Sequence, residues 1–122
     1  MLCCLCLSAC LDMITDKCSQ ITGRIFVTRS DGETVYGYNL VFADTGFSCS
    51  NGGNAQPIID DPAFSVTGND SVLYVAGVDR TDTSYYSIRH LHGDTILKST
   101  PITRAEFSAK RTDTKYRWRV PD

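Results

Sequence analysis

ITGRIFVTR, residues Ile21 to Arg29, is the stretch whose reading decides the fold class. Ile21, Gly23, Ile25 and Val27 alternate with Thr22, Arg24, Phe26 and Thr28. A period of two belongs to a strand, whose successive side chains point to opposite faces. SDGE (30–33) follows, and Gly32 can take the positive φ of a tight hairpin. TVYGYNLVFA (34–43) then resumes β-branched and aromatic residues, so the region reads as one hairpin.

Outward from this hairpin the chain keeps the same habit. LDMITDKCSQ (11–20) has no period and reads as a tether. DTGFSCSNGGNAQPIIDDPA (44–63) holds three glycines and two prolines, the composition of a long irregular loop with room for one short strand. AFSV (63–66) and SVLYVAGV (71–78) return to strand, and the second is so continuously apolar that Val72 to Val78 should be core, covered on both faces. A third hairpin is expected from SYYSIRHLH (84–92) and TILKS (95–99), joined by Gly93-Asp94. A fourth is expected from AEFSAK (105–110) and KYRWRV (115–120), joined by RTDT. In the last strand Tyr116, Trp118 and Val120 alternate with Lys115, Arg117 and Arg119, one aromatic face and one cationic face. No window of about 11 residues carries a helical apolar stripe. Seven to nine short strands predict an all-β protein, a single small antiparallel β-sandwich over 21–122, immunoglobulin-like or transthyretin-like.

Composition bounds the function. The 122 residues suit one domain, and 42% hydrophobic with 21% charged residues is the balance of a folded chain. Twelve Lys and Arg stand against fourteen Asp and Glu, a net charge of −2, which argues against a nucleic-acid partner. No apolar run reaches the roughly 18 residues of a membrane-spanning helix.

Four of the six cysteines, Cys3, Cys4, Cys6 and Cys10, fall in the apolar start MLCCLCLSAC. Leu7-Ser8-Ala9-Cys10 resembles the lipobox of bacterial lipoproteins, an aliphatic residue and two small ones before a cysteine. The resemblance implies a diacylglyceryl thioether and added acyl chains such as palmitate on Cys10, with cleavage just before it. Residues 1–9 would then be the remnant of a signal peptide, and 10–20 the anchor and tether. Such leaders run about 15–30 residues with a basic start; the nine here hold no Lys or Arg, which implies a start codon further upstream. The residues by themselves also admit an apolar terminus with inert thiols, or S-acylation of the clustered cysteines. With Cys10 lipidated, Cys18 and Cys49 remain as a candidate disulfide in an oxidising compartment, or as two free thiols.

The run ITGRIFVTRSDGETVYGYNLVFADTG also resembles the opening of carboxypeptidase regulatory-like, transthyretin-type sandwich domains, through Gly23-Arg24, Asp31-Gly32 and Thr45-Gly46. Members of that family are generally binding or spacer modules, which the resemblance extends to this chain as an expectation.

Few residues carry the pattern of a catalyst. His90 and His92, at i and i+2 of a strand, should share one solvent-facing side; with Asp94 across the turn they are the candidate metal ligands, although zinc needs three or four. Asp60 and Asp61 offer adjacent carboxylates, whose opposed side chains do not face one cleft as glycoside cleavage requires. Tyr85, Tyr86, Tyr116 and Trp118 could form a stacking platform for a sugar, or simply core pairs. Asn69-Asp70-Ser71 matches a glycan acceptor and equally a turn. Neither a phosphate loop nor a GxSxG elbow is present, so no cofactor and no catalysis are expected.

The expected protein is thus a lipid-anchored, non-catalytic binding or structural accessory module, membrane-bound through its lipid. The inner leaflet of a bacterial outer membrane is the default place, facing periplasm or exterior. Its partner would be a protein or a glycan, with Asp60, Asp61, Tyr85, Tyr86 and Trp118 as the candidate contacts. Two alternatives are a glycan- or peptide-binding domain and a small metal-dependent hydrolase using His90 and His92.

Overall fold

Nine strands and one helix form among the residues that the computed structural model describes, 18–29, 37–79, 82–110 and 114–120. Residues 1–17, with Cys10, and SDGE (30–33) lie outside them. The strands are β1 (Cys18–Thr22), β2 (Ile25–Arg29), β3 (Tyr38–Ala43), β4 (Ala55–Pro57), β5 (Ala63–Gly68), β6 (Val72–Asp79), β7 (Asp82–Leu91), β8 (Thr95–Ile102) and β9 (Tyr116–Arg119). The helix α1 (Arg104–Lys110) lies between β8 and β9. One sheet has the order β1-β2-β3-β4 and the other β8-β7-β6-β5-β9, every pair antiparallel. This is a small all-β sandwich.

The core follows from the alternation. Ile25, Val27 and Leu40 of the first sheet meet Val66, Leu73, Val75 and Ile88 of the second, all nearly or fully buried. Each such side chain contributes about 1.5–3 kcal/mol relative to exposure. β6 is core on one face: Leu73 and Val75 are fully buried against the first sheet, whereas on the other face Ala76 is buried but Val72, Tyr74 and Val78 are only half-buried, which limits the expected two-sided cover. The helix adds to that second face, its Phe107 packing on Tyr85 at 4.9 Å between ring centroids. The expected alternation in β9 also holds, with Tyr116, Trp118 and Val120 packed against the core and Arg117 and Arg119 exposed.

Three expectations are corrected. ITGRIFVTR is not one strand. Gly23 takes φ 55°, and the chain reverses there, so that Cys18 pairs with Thr28 and Ser19 with Val27. The strand β1 therefore begins at Cys18, inside the stretch read as tether. The cause is tertiary: the Arg24 N–H donates to the Gly93 carbonyl at 2.9 Å, and a Cβ on Gly23 would lie 2.7 Å from the His92 carbonyl oxygen. Only glycine allows this backbone-to-backbone contact between turns of opposite sheets.

The β7–β8 connection is longer than Gly93-Asp94. Leu91 pairs with Thr95, and His92 (φ 49°) and Gly93 (φ 78°) are both left-handed, as a type I′ turn demands, with the Asp94 N–H donating to the Leu91 carbonyl at 2.8 Å.

AEFSAK is helical, not a strand, and KYRWRV pairs instead with β5, Val66 opposite Trp118. Thr103 and Glu106 form a reciprocal capping box. The Glu106 N–H donates to Thr103 Oγ1 at 3.1 Å, and Thr103 N–H donates back to Glu106 Oε1 at 3.1 Å. The same contacts hold the Glu106 carboxyl below its usual value. At seven residues the helix is too short to show an apolar period. Thr103→Ala should lower stability by about 1 kcal/mol, read as a drop in melting temperature with the strand signal in circular dichroism retained.

Candidate functional site

The irregular stretch 44–63 is a folded loop and not a free connection. Asp44 N–H donates to Asn54 O at 2.9 Å, Phe47 N–H to Asp44 O at 3.1 Å, and Gly52 N–H to Ser48 O at 2.7 Å, so the segment closes on itself as a narrow ladder. The short strand expected inside it is β4, with Val41 opposite Pro57. A disulfide joins Cys49 to Cys18 with the Cα atoms 5.6 Å apart, tying the loop to the first residue of β1.

What the tie holds down is a second apolar cluster. Phe26, Val41 and Ala43 face away from the main core, on the outer side of the first sheet, and the loop covers them with Phe47 and Cys49. The Phe47 ring stands edge-on to Phe26 at 4.7 Å between centroids. Beside this cover runs a groove of about 630 Å³. Its lining mixes Thr28, Asn39 and Ser48 with Val41 and Phe47. Hydroxyl, amide and ring therefore border one concave surface, a mixture that suits a binding site.

A second cleft, of about 610 Å³, lies where β7 meets the end of β8, bordered by Tyr85, Tyr86, Pro101 and Arg104. Two sequence candidates meet near it. The Tyr86 hydroxyl donates to Asp61 Oδ2 at 2.8 Å, a bond that, with burial, raises the phenol above 10.0. Asp60 is exposed alongside. The wider aromatic platform does not assemble. Tyr85 and Tyr86, being adjacent in a strand, face opposite ways, Tyr85 to the helix and Tyr86 to the core. Trp118 shares a cross-strand row with Tyr86, but Val66 and Val75 stand between them, and its ring packs on Tyr38 at 5.4 Å.

The two histidines are separated, which corrects their reading as a solvent-facing pair. His90 is 1% exposed and His92 lies in the turn with its side chain 76% exposed. His90 keeps the alternation of β7 and shares the buried face of Ile88, whereas the strand ends at Leu91 and His92, left-handed, belongs to the turn. His90 Nδ1 accepts from the Gly93 N–H at 2.8 Å, and Nε2 bonds the Asn69 carbonyl at 2.9 Å. A carbonyl can only accept, so the ring is the neutral Nε2–H tautomer with both nitrogens engaged. Asp94, the third candidate ligand, is an exposed turn residue. Among the described residues no three metal-ligating side chains form a group.

Around His90 the β5–β6 turn builds a polar knot that local sequence does not announce. Asn69 Oδ1 accepts from the N–H groups of Ser71 and Val72, the turn reading of Asn69-Asp70-Ser71. Asp70 takes Lys115 Nζ at 2.8 Å and the Tyr116 hydroxyl, with His92 Nδ1 4.0 Å away. Lys115 first, then Tyr116, hold the Asp70 carboxyl below 3.8. A separation of 45 residues between Asp70 and Lys115 leaves no signal along the chain.

Compared with known protein families, curated proteins and solved structures, this chain matches none.

Proposed function

We propose that the protein is a lipid-anchored, non-catalytic binding module of the bacterial cell envelope, and that the groove under the disulfide-tied loop is its ligand site. The observation that carries the reading is the Cys18–Cys49 bridge. It ties a folded loop down as one wall of the groove, and a preformed wall loses less entropy when a ligand binds. A glycan or a short peptide suits a lining of Thr28, Asn39, Ser48 and Phe47, which offers donors, acceptors and one ring face.

The anchor rests on Leu7-Ser8-Ala9-Cys10. Position along β1 fits it, because Cys18 follows the anchor by eight residues and starts the domain directly. Catalysis by His90 has little support, since both its ring nitrogens are already committed to backbone groups.

Expressed in a bacterium behind a lipoprotein signal sequence that ends in its own Leu7-Ser8-Ala9-Cys10, the protein should partition into detergent and carry a lipid mass on Cys10. Cys10→Ala should release it to the aqueous phase, and a variant that stayed with the membrane would overturn the anchor. For the groove, the oxidised protein is titrated with soluble peptidoglycan fragments, whose sugars and peptides sample both ligand chemistries. Amide shifts centred on Phe47 to Gly53 are the expected result; shifts confined to the β7–β8 cleft would move the site there.

A further inference from the structure

Strand register shows a charge asymmetry on the face of the second sheet that carries α1. Three of the cross-strand rows on that face are Val72–Arg89–Lys98, then Arg117–Thr67–Tyr74–Ser87–Thr100, then Arg119–Ser65–Ala76–Tyr85–Ile102. Every charged residue in the three rows is a cation, although the chain as a whole is acidic. Arg89 and Lys98 stand directly opposite each other, both exposed, and among the described residues neither joins an ion pair. Like charges at directly opposed positions destabilise a sheet.

The same corner holds the large hydrophobic side chains that are most exposed among the described residues, Leu91 at 52% and Leu97 at 49%. Leu91 follows Arg89 by two residues on β7. Leu97 is the extra residue of the bulge, left between the pairs Ile96–His90 and Lys98–Arg89. Two cations at close quarters, flanked by two leucines, form a surface that is costly in the free protein and complementary to carboxylates beside an aliphatic group.

We propose that this corner, Arg89, Lys98, Leu91 and Leu97, docks an acidic segment of a partner protein, in which carboxylates flank an aliphatic side chain. The leucines favour a protein over an anionic glycan, which offers no comparable apolar group. Strand addition is not the mode, because β8 is a guarded edge: Pro101 lacks an N–H, Lys98 is charged, and the bulge at Leu97 breaks the ladder.

The test uses the full chain and three probes: a labelled peptide of alternating Glu and Leu, vesicles containing phosphatidylglycerol, and the protein itself in sedimentation. Wild type should bind the peptide, more weakly as salt rises. Arg89→Glu should weaken binding at least tenfold and at the same time raise the melting temperature, because Glu opposite Lys98 replaces repulsion with attraction. Lys98→Glu should do the same. Equal peptide affinity in wild type and variants would overturn the proposal. So would vesicle binding or self-association that Arg89→Glu abolishes while the peptide fails to bind, since the corner would then serve a membrane or a second copy. The Cys10→Ala partition reads the anchor separately, so either idea can fail without the other.

Discussion

Protein in which Cys18 and Cys49 are both replaced by serine should melt about 10–20 °C below the oxidised wild type. The bridge closes a loop with a sequence separation of 31, worth about 3–4 kcal/mol in the chain-entropy account, and a domain of this size loses a few degrees per kcal/mol. The loss should be local as well as global. Without the tie, Phe47 is held to Phe26 only by ring contact and a few loop hydrogen bonds, so the Phe26–Val41–Ala43 cluster is uncovered. Amide exchange should accelerate first between Phe47 and Ala55, and binding in the groove should weaken with it. A reductant acting on the wild type should reproduce both effects. If the double variant melts with the wild type, the loop is held by its own backbone ladder and the bridge is incidental to the site.

His90→Ala should cost about 3 kcal/mol, and it should change how stability depends on pH. Removing the ring leaves the buried Gly93 N–H and the Asn69 carbonyl without their partner, at about 1–3 kcal/mol each when water cannot enter, and opens a cavity where the two sheets touch. In the wild type, burial first, with a smaller push from His92, lowers the His90 pKa from 6.5; the Asn69 carbonyl and Asp70 act the other way without prevailing. A histidine kept neutral in the fold binds its proton more readily when unfolded. Stability is therefore complete above the unfolded pKa and falls as pH drops below about 6.5, by up to about 1.4 kcal/mol per pH unit until the folded pKa is reached. Asp70 works in a lower window: its depressed carboxyl contributes stability above 3.8 that is lost as pH falls through the folded value. Melting curves between pH 7 and pH 5 thus isolate His90. His90→Gln, which keeps a neutral donor and acceptor, should flatten the slope over that range, and a slope equal to that of wild type would show that His90 is not its source.

The consequences of His90 were not legible along the chain, because alternation says which residues share a face and not which face is covered. His90 shares the buried face of Ile88, and Arg89 and Leu91 share the exposed one. The strand ends at Leu91, so the left-handed His92 leaves that alternation. Gly23, which packs on the Gly93 turn beside His90, comes from the other sheet. The same limit explains ITGRIFVTR, where Gly23 was counted as one more alternating residue although its turn is set by a neighbour some seventy positions away. α1 was different, because Thr103 and Glu106 at i and i+3 are a local start signal that a search for periodicity does not weigh.

By itself the sequence determined the class: short alternating runs separated by glycine and proline can bury one face each, and two such sheets must close on each other to do so. It also determined which face of β9 is apolar, and it left Cys18 and Cys49 as a candidate pair that only the folding of Cys18 into β1 brings together. Tertiary structure alone decided the rest. It set which strands are neighbours, where the loop folds down over Phe26, that His90 is a buried clasp, and that Arg89 stands opposite Lys98. These are relations between residues far apart in the chain, fixed by register and by the contact of two sheets, and local pattern carries no term for either.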